Sequence, residues 1–407
     1  MTNLANSRTE SDAPQHKTGT NHKDLRNYNE RLIIDTIRLI GAVSKADLAK
    51  ITKLSAQTAT IIVNKLLDDD LLRKMESVKG KVGQPKTPIT LNPNGAFSFG
   101  VKVGRRSVDI LLLDFTHSII EKRNLRYDYP EPDIVLNWVT KSIKEIAGNL
   151  PKANHSRILG VGLAQPFELE NWNEIVGAPE GKLESWRGFD LRLEIEKIIT
   201  LPTYFLNDAS SACMAEISQT SENSESTFFY IYIGTFVGGG IAINGKLFEG
   251  SRGNAGAIAS LPLTCSDRDH GASSTQINHI SSFNSLDLWA SEQGYSPMVF
   301  TMDPLTPDVE TEFAKWCDNA ANGLAMAIVS AQAFFDLDFV VIDGNLPTHL
   351  LTRVVKATSE AINKYDLRGI DTPTIKAGQL GNDARAFGAA LLPLRANFGL
   401  ESLPYTN

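Results

Sequence analysis

Cysteine is scarce in this sequence, and no long apolar run occurs in it. Only three of the 407 residues are cysteines, Cys213, Cys265 and Cys317. They are too far apart for a disulfide framework or a CxxC metal pair, which favours a reducing compartment. No apolar stretch approaches the roughly 18 residues that span a bilayer, and the polar first residues lack the apolar core of a signal peptide. These absences predict a cytoplasmic protein with no membrane partner.

Residues 31–90 carry the pattern of three helices followed by two short strands. Ser44 and Ser55 are placed to cap the second and third helices. The apolar stripe of the third helix leaves a polar outer face of the kind that hydrogen-bonds base edges in a major groove. The link between the strands is rich in Gly and Lys, as expected of a basic wing that contacts phosphates. The alternative is a small helical domain that docks on another protein.

We therefore predict a disordered, polar tail over 1–24 and a winged helix-turn-helix domain over 25–94 that binds double-stranded operator DNA. Charge supports this, because residues 22–94 hold 13 Lys and Arg against 8 Asp and Glu, whereas the whole chain carries −7. The residues expected to contact DNA are Ser55, Gln57, Thr58, Thr60, Ile61, Lys65, Lys79, Lys81, Gln84 and Lys86.

From Phe97 onward, apolar strands alternate with amphipathic helices, which predicts an α/β fold with a partly parallel sheet. Two segments open with a glycine-turned hairpin, GVKVGRRSV and IYIGTFVGGG, so the body has two weakly similar halves. Backbone N–H groups of such turns can cradle phosphate, although a tight hairpin needs glycine in any case. The candidate phosphate-loop residues are Gly104, Gly234, Thr235, Gly238 and Gly239.

Four stretches together resemble the ROK family (repressors, open reading frames and kinases): the run from GVGLAQPF to LNDASSACMAE, IYIGTFVGGGIAINGKLFEGSRGNAGAI, FVVIDGN and NDARAFGAALLPL. The head, including VGQPKTPITLNPNG, is similar to the winged head of its repressor branch. This resemblance implies a two-lobed, actin-like (RNase H-like) sugar-kinase-type ATPase fold. Lobe 1 is expected at 95–207, lobe 2 at 208–383, and a closing helix over 384–407 returns to lobe 1.

By this resemblance, Asn207 matches the family's sugar-binding Asn and Asp208 its catalytic Asp, and we place Gly181 and Gly256 in the same ligand site. A carboxylate there can accept the proton of an attacking sugar hydroxyl. The alternative is that Asn207 and Asp208 only cap the following helix.

The sequence departs from the family kinases at both substrate motifs. Lys102 occupies the acidic position of the first hairpin, where a protonated lysine repels Mg²⁺. The two arginines that follow it, Arg105 and Arg106, are expected to be solvated. The family's Glu-x-Gly-His falls on Ala257, Ile258, Ala259 and Ser260. We therefore expect neither Mg-ATP nor catalysis, with Asp208 a vestigial base.

The family's zinc loop is also degenerate. Cys265, His270 and His279 are three possible ligands at irregular spacing, whereas structural zinc takes four. We expect no metal.

The sequence thus predicts a transcriptional regulator of carbohydrate metabolism, a repressor, that forms a homodimer or tetramer. Its kinase-derived body would sense a sugar or sugar phosphate, or serve for dimerisation. Two alternatives remain: an active sugar kinase with an appended DNA-binding head, and a ligand-free module recruited through a partner protein.

Overall fold

The head of the molecule consists of three helices and a two-stranded antiparallel wing. The computed structural model describes residues 22–76, 87–167, 169–172, 178–219, 222, 225–267 and 271–400. In the head these comprise α1 (His22–Ile40), α2 (Lys45–Ile51), α3 (Ala56–Asp68), β1 (Leu72–Lys74) and β2 (Ile89–Leu91). Helix α1 begins at His22 and so enters the stretch predicted to be a disordered tail.

Short-range sequence signals account for the head. The hydroxyl of Ser44 accepts a hydrogen bond from the Asp47 N–H, and that of Ser55 accepts one from the Thr58 N–H, so both serines cap their helices as predicted. Gly41, at φ +78°, ends α1 in the left-handed conformation that glycine adopts without strain. Apolar residues one helical turn apart, including Ile62 and Leu66, face the core of the head.

Lobe 1 is built on a five-stranded mixed sheet. Its elements are β3 (Phe97–Val103), β4 (Ser107–Asp114), β5 (Ile119–Arg126), α4 (Pro132–Asn149), β6 (Ile158–Gln165), α5 (Leu191–Ile199) and β7 (Thr203–Asn207). The next helix, α6 (Asp208–Ile217), begins at the predicted boundary between the lobes. The strand order is β5-β4-β3-β6-β7. The first three strands form an antiparallel meander, and β6 and β7 run parallel to β3.

Lobe 2 repeats this arrangement. Its elements are β8 (Phe228–Ile233), β9 (Val237–Ile243), β10 (Lys246–Phe248), β11 (Pro262–Asp267), β12 (Gly271–Gln276), α7 (Ile277–Ser281), α8 (Asn284–Glu292), α9 (Pro307–Phe335), β13 (Phe339–Gly344), α10 (Thr348–Ile362) and β14 (Thr374–Ala377). The order β10-β9-β8-β13-β14 has the same strand directions as in lobe 1. The predicted similarity of the two halves is therefore confirmed.

The last helix, α11 (Ala384–Phe398), lies directly on the sheet of lobe 1. Glycines permit this close approach: a Cβ added at Gly162 would lie 1.8 Å from the Ala389 carbonyl oxygen, and one at Gly100 would lie 2.0 Å from that of Ala386. The Ser98 hydroxyl donates to the Ala390 carbonyl at 2.6 Å. Helix α11 is thus fixed against β3 and β6.

The head and the body share one hydrophobic core. Phe115 of lobe 1 is fully buried and packs against Phe398 at the end of α11, with ring centroids 4.9 Å apart. Arg38 of α1 donates to the Phe115 carbonyl at 3.3 Å, and Arg31 donates to the Gly399 carbonyl at 3.0 Å. The head is therefore held against the body, as the absence of a long linker predicts. Among the described helices, none is both long and apolar enough to cross a membrane.

Candidate functional site

The outer face of α3 and the cleft between the lobes are the two candidate sites. At the start of α3, Ser55 and Thr58 hydrogen-bond each other at 2.8 Å between their hydroxyl oxygens. Gln57 is exposed, and Ile61 is 54% exposed although it is a large apolar residue. Thr60 is exposed as well, but its hydroxyl donates to the Ala56 carbonyl at 2.7 Å. The first turns of α3 therefore present a small polar and apolar surface to the solvent.

Other residues predicted to contact DNA are differently placed. The Lys65 ammonium lies 2.7 Å from both carboxylate oxygens of Glu30 on α1. This ion pair holds the Lys65 ammonium against α1, so a contact from Lys65 to DNA would compete with the contact to Glu30. Lys79, Lys81, Gln84 and Lys86 lie outside the described residues, and their predicted phosphate contacts stay a prediction.

The second site is a cavity of about 90 Å³ between the first hairpin of each lobe. This is small beside the roughly 300–1,000 Å³ of typical small-molecule sites. Its lining side chains come from both lobes and from α11. The lining residues are Lys102, Arg105, Arg106, Ser107, Asp208, Ala209, Tyr232, Thr235, Phe236, Val237, Gly238, Asn345 and Arg385.

Arg385 connects the two lobes across this cleft. It forms an ion pair with Asp208, the first residue of α6, at 3.4 Å, and donates to the Asn345 side-chain oxygen of lobe 2, at 3.3 Å. Its guanidinium also lies 4.5 Å from the centre of the Tyr232 ring, a cation–π contact. The Tyr232 hydroxyl in turn donates to Asn345. Asp208 is thus engaged by a buried cation.

Lys102 is 4% exposed in the cleft, where its ammonium lies 3.0 Å from Asp109 and 2.9 Å from the Ser107 hydroxyl. Burial, reinforced by the positive charge of Arg385, lowers the pKa of Lys102 to about 8, although Asp109 and Asp208 act in the opposite direction. The position that is acidic in the family's kinases therefore holds a cation that faces the cavity.

The neighbouring arginines are not simply solvated at the turn, contrary to expectation. The Arg105 guanidinium stacks 3.8 Å from the centre of the Phe236 ring, on the hairpin of lobe 2, and burial lowers its pKa to about 10. Arg106 is exposed and donates to the Asp128 carbonyl at 2.6 Å, yet it also lines the cavity. The reason is that the two hairpins meet, so a turn that is open in one lobe is covered by the other.

The proposed ligand residues separate into two groups. Asp208 lines the cavity, whereas the Asn207 side chain accepts from the Ala209 N–H at 3.0 Å and caps α6. Gly256, at φ +82°, lies in backbone contact with β9, where a Cβ would be 2.9 Å from Gly239. Gly181 begins a short 3₁₀ turn at φ +77° and does not line the cavity. Apart from Asp208, these residues have roles in backbone packing and helix capping.

The glycine hairpins also have packing roles. A Cβ on Gly238 would lie 2.7 Å from that of Ala209 on α6, which allows β9 to approach that helix. Thr235 and Gly238 line the cavity, whereas Gly104 and Gly234 form turns beside the Lys102 and Tyr232 side chains.

Sequence reasoning missed Arg385, Tyr232 and Asn345. A signal for Arg385 was present, because it is a charged residue directly before the apolar run 386–394, and a buried charge needs a partner. For the zinc ligands, His279 hydrogen-bonds Thr275 at 3.3 Å. His270 and the Cys265 side chain lie outside the described residues, among which no three His, Cys, Asp or Glu side chains are placed to hold a metal ion together.

The chain is 25% identical over 375 residues to the uncharacterized protein y4fQ of Sinorhizobium fredii, with 90% of each chain covered. It is 22% identical over 239 residues to the xylose repressor of Bacillus spizizenii, which covers 59% of this chain and 61% of the repressor. The chain therefore spans about three fifths of the repressor's length.

A solved ROK family transcriptional regulator, described as a homologue of the Escherichia coli MLC protein, has the same fold. Its TM-score is 0.64 at 19% identity, with 92% of this chain and 98% of that chain covered. The sequence profile of the ROK family matches residues 98–396, which is most of the chain. With the paired five-stranded sheets and the closing helix, this match means that the chain belongs to the ROK family.

Proposed function

We propose that this protein is a sequence-specific DNA-binding transcriptional regulator, a repressor of carbohydrate metabolism. The observation that carries the proposal is the exposed face of α3, where Gln57, Thr60 and Ile61 stand on a capped helix. Gln and Thr side chains hydrogen-bond base edges in a major groove, and an apolar side chain contacts the thymine methyl group. The relative named a xylose repressor supports the same role.

We further propose that the body senses a sugar or sugar phosphate in the cleft. Helix α11 supports such a role, because its first turn carries Arg385 in the cleft and its last turn carries Phe398 against Phe115 of lobe 1. The Phe115 carbonyl in turn accepts a hydrogen bond from Arg38 of the head. A helix of 15 residues is about 22 Å long. A ligand that displaces Arg385 from Asp208 would therefore shift a rigid element that also contacts the head. Such coupling requires different ligand affinities for the two cleft states.

Phosphoryl transfer is not part of this proposal. A general base for a sugar hydroxyl must be free to accept a proton, whereas Asp208 is paired with Arg385. The buried ammonium of Lys102 would repel the Mg²⁺ that phosphoryl transfer requires. We expect no ATP turnover with any hexose, in the wild type or in Asp208→Asn. Turnover by the wild type that is absent in Asp208→Asn would favour the kinase alternative.

We expect a homodimer or tetramer, because two heads related by a two-fold axis would match a palindromic operator. Sedimentation of the full chain with operator DNA tests this expectation, and one chain per operator would contradict it.

The central experiment is fluorescence anisotropy with the DNA upstream of the protein's own coding region, at two salt concentrations. Gln57→Ala should weaken operator binding by about 1–3 kcal/mol and leave random DNA unaffected. Gln293→Ala is the matched control, since Gln293 is an exposed glutamine after α8. Equal losses on operator and random DNA would show that α3 does not read the sequence.

A sugar panel in the same assay separates the remaining alternatives. Release of the operator by one sugar or sugar phosphate would support the sensing body. Selective binding that no ligand changes would favour a body that dimerises or recruits a partner protein.

A further inference from the structure

We propose that the interlobe cleft recognises an ionised sugar, one bearing a carboxylate or phosphate group, in preference to the neutral sugar of the same skeleton. This inference rests on the proposed sensing function and specifies its ligand class. It follows from the charge, burial and size of the cavity between the two hairpins.

The cavity lining is dominated by positive charge. Lys102, Arg105, Arg106 and Arg385 face it, and Asp208 is the carboxylate among the lining residues. Three carboxylates outside the lining offset part of this charge: Asp109, paired with Lys102, Asp287, whose charge acts on Arg106, and Asp343, whose charge acts on Arg385. In the lining itself, four cations stand against one carboxylate beside a small, partly enclosed space.

Two of these cations are buried side chains, with Lys102 4% and Arg385 8% exposed. The hydrogen-bonding capacity of Arg385 is not exhausted, because its Nε–H is buried and has no hydrogen-bond partner within the described residues. A buried donor left without an acceptor destabilises a fold by about 1–3 kcal/mol. An anion in the cavity would supply that acceptor and lower the mutual repulsion of Lys102 and Arg385.

The size of the cavity points to the same ligand class. A volume of about 90 Å³ has room for an ionised group but does not enclose a whole sugar. The hydroxyl-bearing ring would have to part the hairpins at the contact between Arg105 and Phe236, which closes the cleft. Arg385 would bind the anion, and it also holds the lobes together through Asp208 and Asn345. Anion binding would therefore be coupled to opening of the cleft.

The experiment compares matched probes by calorimetry at constant ionic strength. Inorganic phosphate tests the ionised group alone, and gluconate, glucuronate and glucose 6-phosphate are each compared with glucose. We expect at least one acidic sugar to bind the wild type at least 10-fold more tightly than glucose. Comparison of the carboxylates with the phosphate ester then distinguishes the two sources of charge.

Variants assign the binding to the cleft. Arg106→Gln alters an exposed residue and should fold, and Lys102→Gln tests a buried cation. Each substitution should weaken binding of the acidic sugar by roughly 10-fold to 100-fold, which is the contribution of a charge-assisted hydrogen bond. The affinity for glucose should not change. Arg368→Gln is the control. Arg368 is 91% exposed, pairs with Asp366, and does not line the cavity.

Equal affinity for acidic and neutral sugars, no detectable binding of any probe, or equal behaviour of Arg106→Gln and Arg368→Gln would each overturn this inference. The operator assay, run on the same preparation without ligand, keeps the two proposals apart. Selective operator binding without a preference for acidic sugars overturns only the proposed ligand class. A preference for acidic sugars without selective operator binding overturns only the proposal that the protein is a DNA-binding regulator.

Discussion

Lys102 should make the folded protein more stable as the pH rises from 7 to 10. Burial, together with the charge of Arg385, lowers its pKa from the ordinary value of 10.5 to about 8, even though Asp109 and Asp208 favour the protonated form. Between pH 8 and pH 10.5, the unfolded chain holds a proton that the folded chain has released. The free energy of unfolding therefore increases with pH across this window.

The magnitude follows from the two pKa values of Lys102. Their difference corresponds to roughly 3 kcal/mol in the free energy of unfolding, and most of this increase is reached by pH 10. Because Lys102 is 4% exposed, little of this effect is lost to screening by solvent. An exposed lysine has nearly the same pKa in both states and contributes no such dependence.

Urea unfolding of the wild type and of Lys102→Met, at pH 7, 8, 9 and 10, measures the effect. Methionine keeps the length of the side chain and removes its charge. Asp109, the partner left behind, stays ionised throughout this range, so the difference between the two proteins reports Lys102. We expect the variant to gain about 2.5 kcal/mol less than the wild type between pH 7 and pH 10. Lys141→Met, at a 76% exposed position, should follow the wild type.

Parallel pH profiles for the wild type and Lys102→Met would refute the reasoning. They would mean that the Lys102 ammonium is solvated in the folded protein. The cleft would then hold no buried lysine, and the argument for an anion would rest on Arg385 alone.

Three further predictions concern the head, the closing helix and the contact between them. Ser55→Ala removes the cap of α3 and should lower the free energy of unfolding by about 1 kcal/mol in chemical denaturation, with weaker operator binding in anisotropy. Gly162→Ala places a methyl group against the backbone of α11 and should lower the melting temperature sharply, whereas Gly148→Ala, in open space, should not. Phe398→Ala removes the ring contact with Phe115, the lobe 1 residue whose carbonyl accepts from Arg38 of the head. It should leave operator affinity within about twofold and abolish the response of that affinity to ligand, as read by anisotropy; an unchanged response would exclude α11 as the route.

Much of the head could be predicted from the sequence because its signals are local. The caps at Ser44 and Ser55 act over three residues, and the apolar stripe of α3 repeats over one helical turn. The two halves of the body could be predicted more weakly, from glycine-turned hairpins that recur in the same order. In both cases the residues that carry the signal are near neighbours in the chain.

The cleft could not be predicted in this way. Asp208 and Arg385 are 177 residues apart, and Arg105 and Phe236 belong to different lobes. Whether an arginine at a turn is solvated depends on what the other lobe places above it, and no local pattern contains that information. The resemblance to kinases identified Asp208 as a candidate base. It did not suggest Arg385 as a partner, because a carboxylate that acts as a base would not be paired with an arginine.

The exchange of an acidic position for Lys102 has a physical logic in a sensor. An enzyme must bind its transition state more tightly than its substrate, whereas a sensor needs only a ligand that binds one cleft state more tightly than the other. Shifting such an equilibrium from 1:99 to 99:1 takes about 5.5 kcal/mol. A hydrogen bond to a charged group contributes about 1.5–3 kcal/mol, so two to four contacts from an anion to cations of the cleft would be sufficient. Lys102, Arg105, Arg106 and Arg385 supply that number, and one of them lies on the helix that contacts the head.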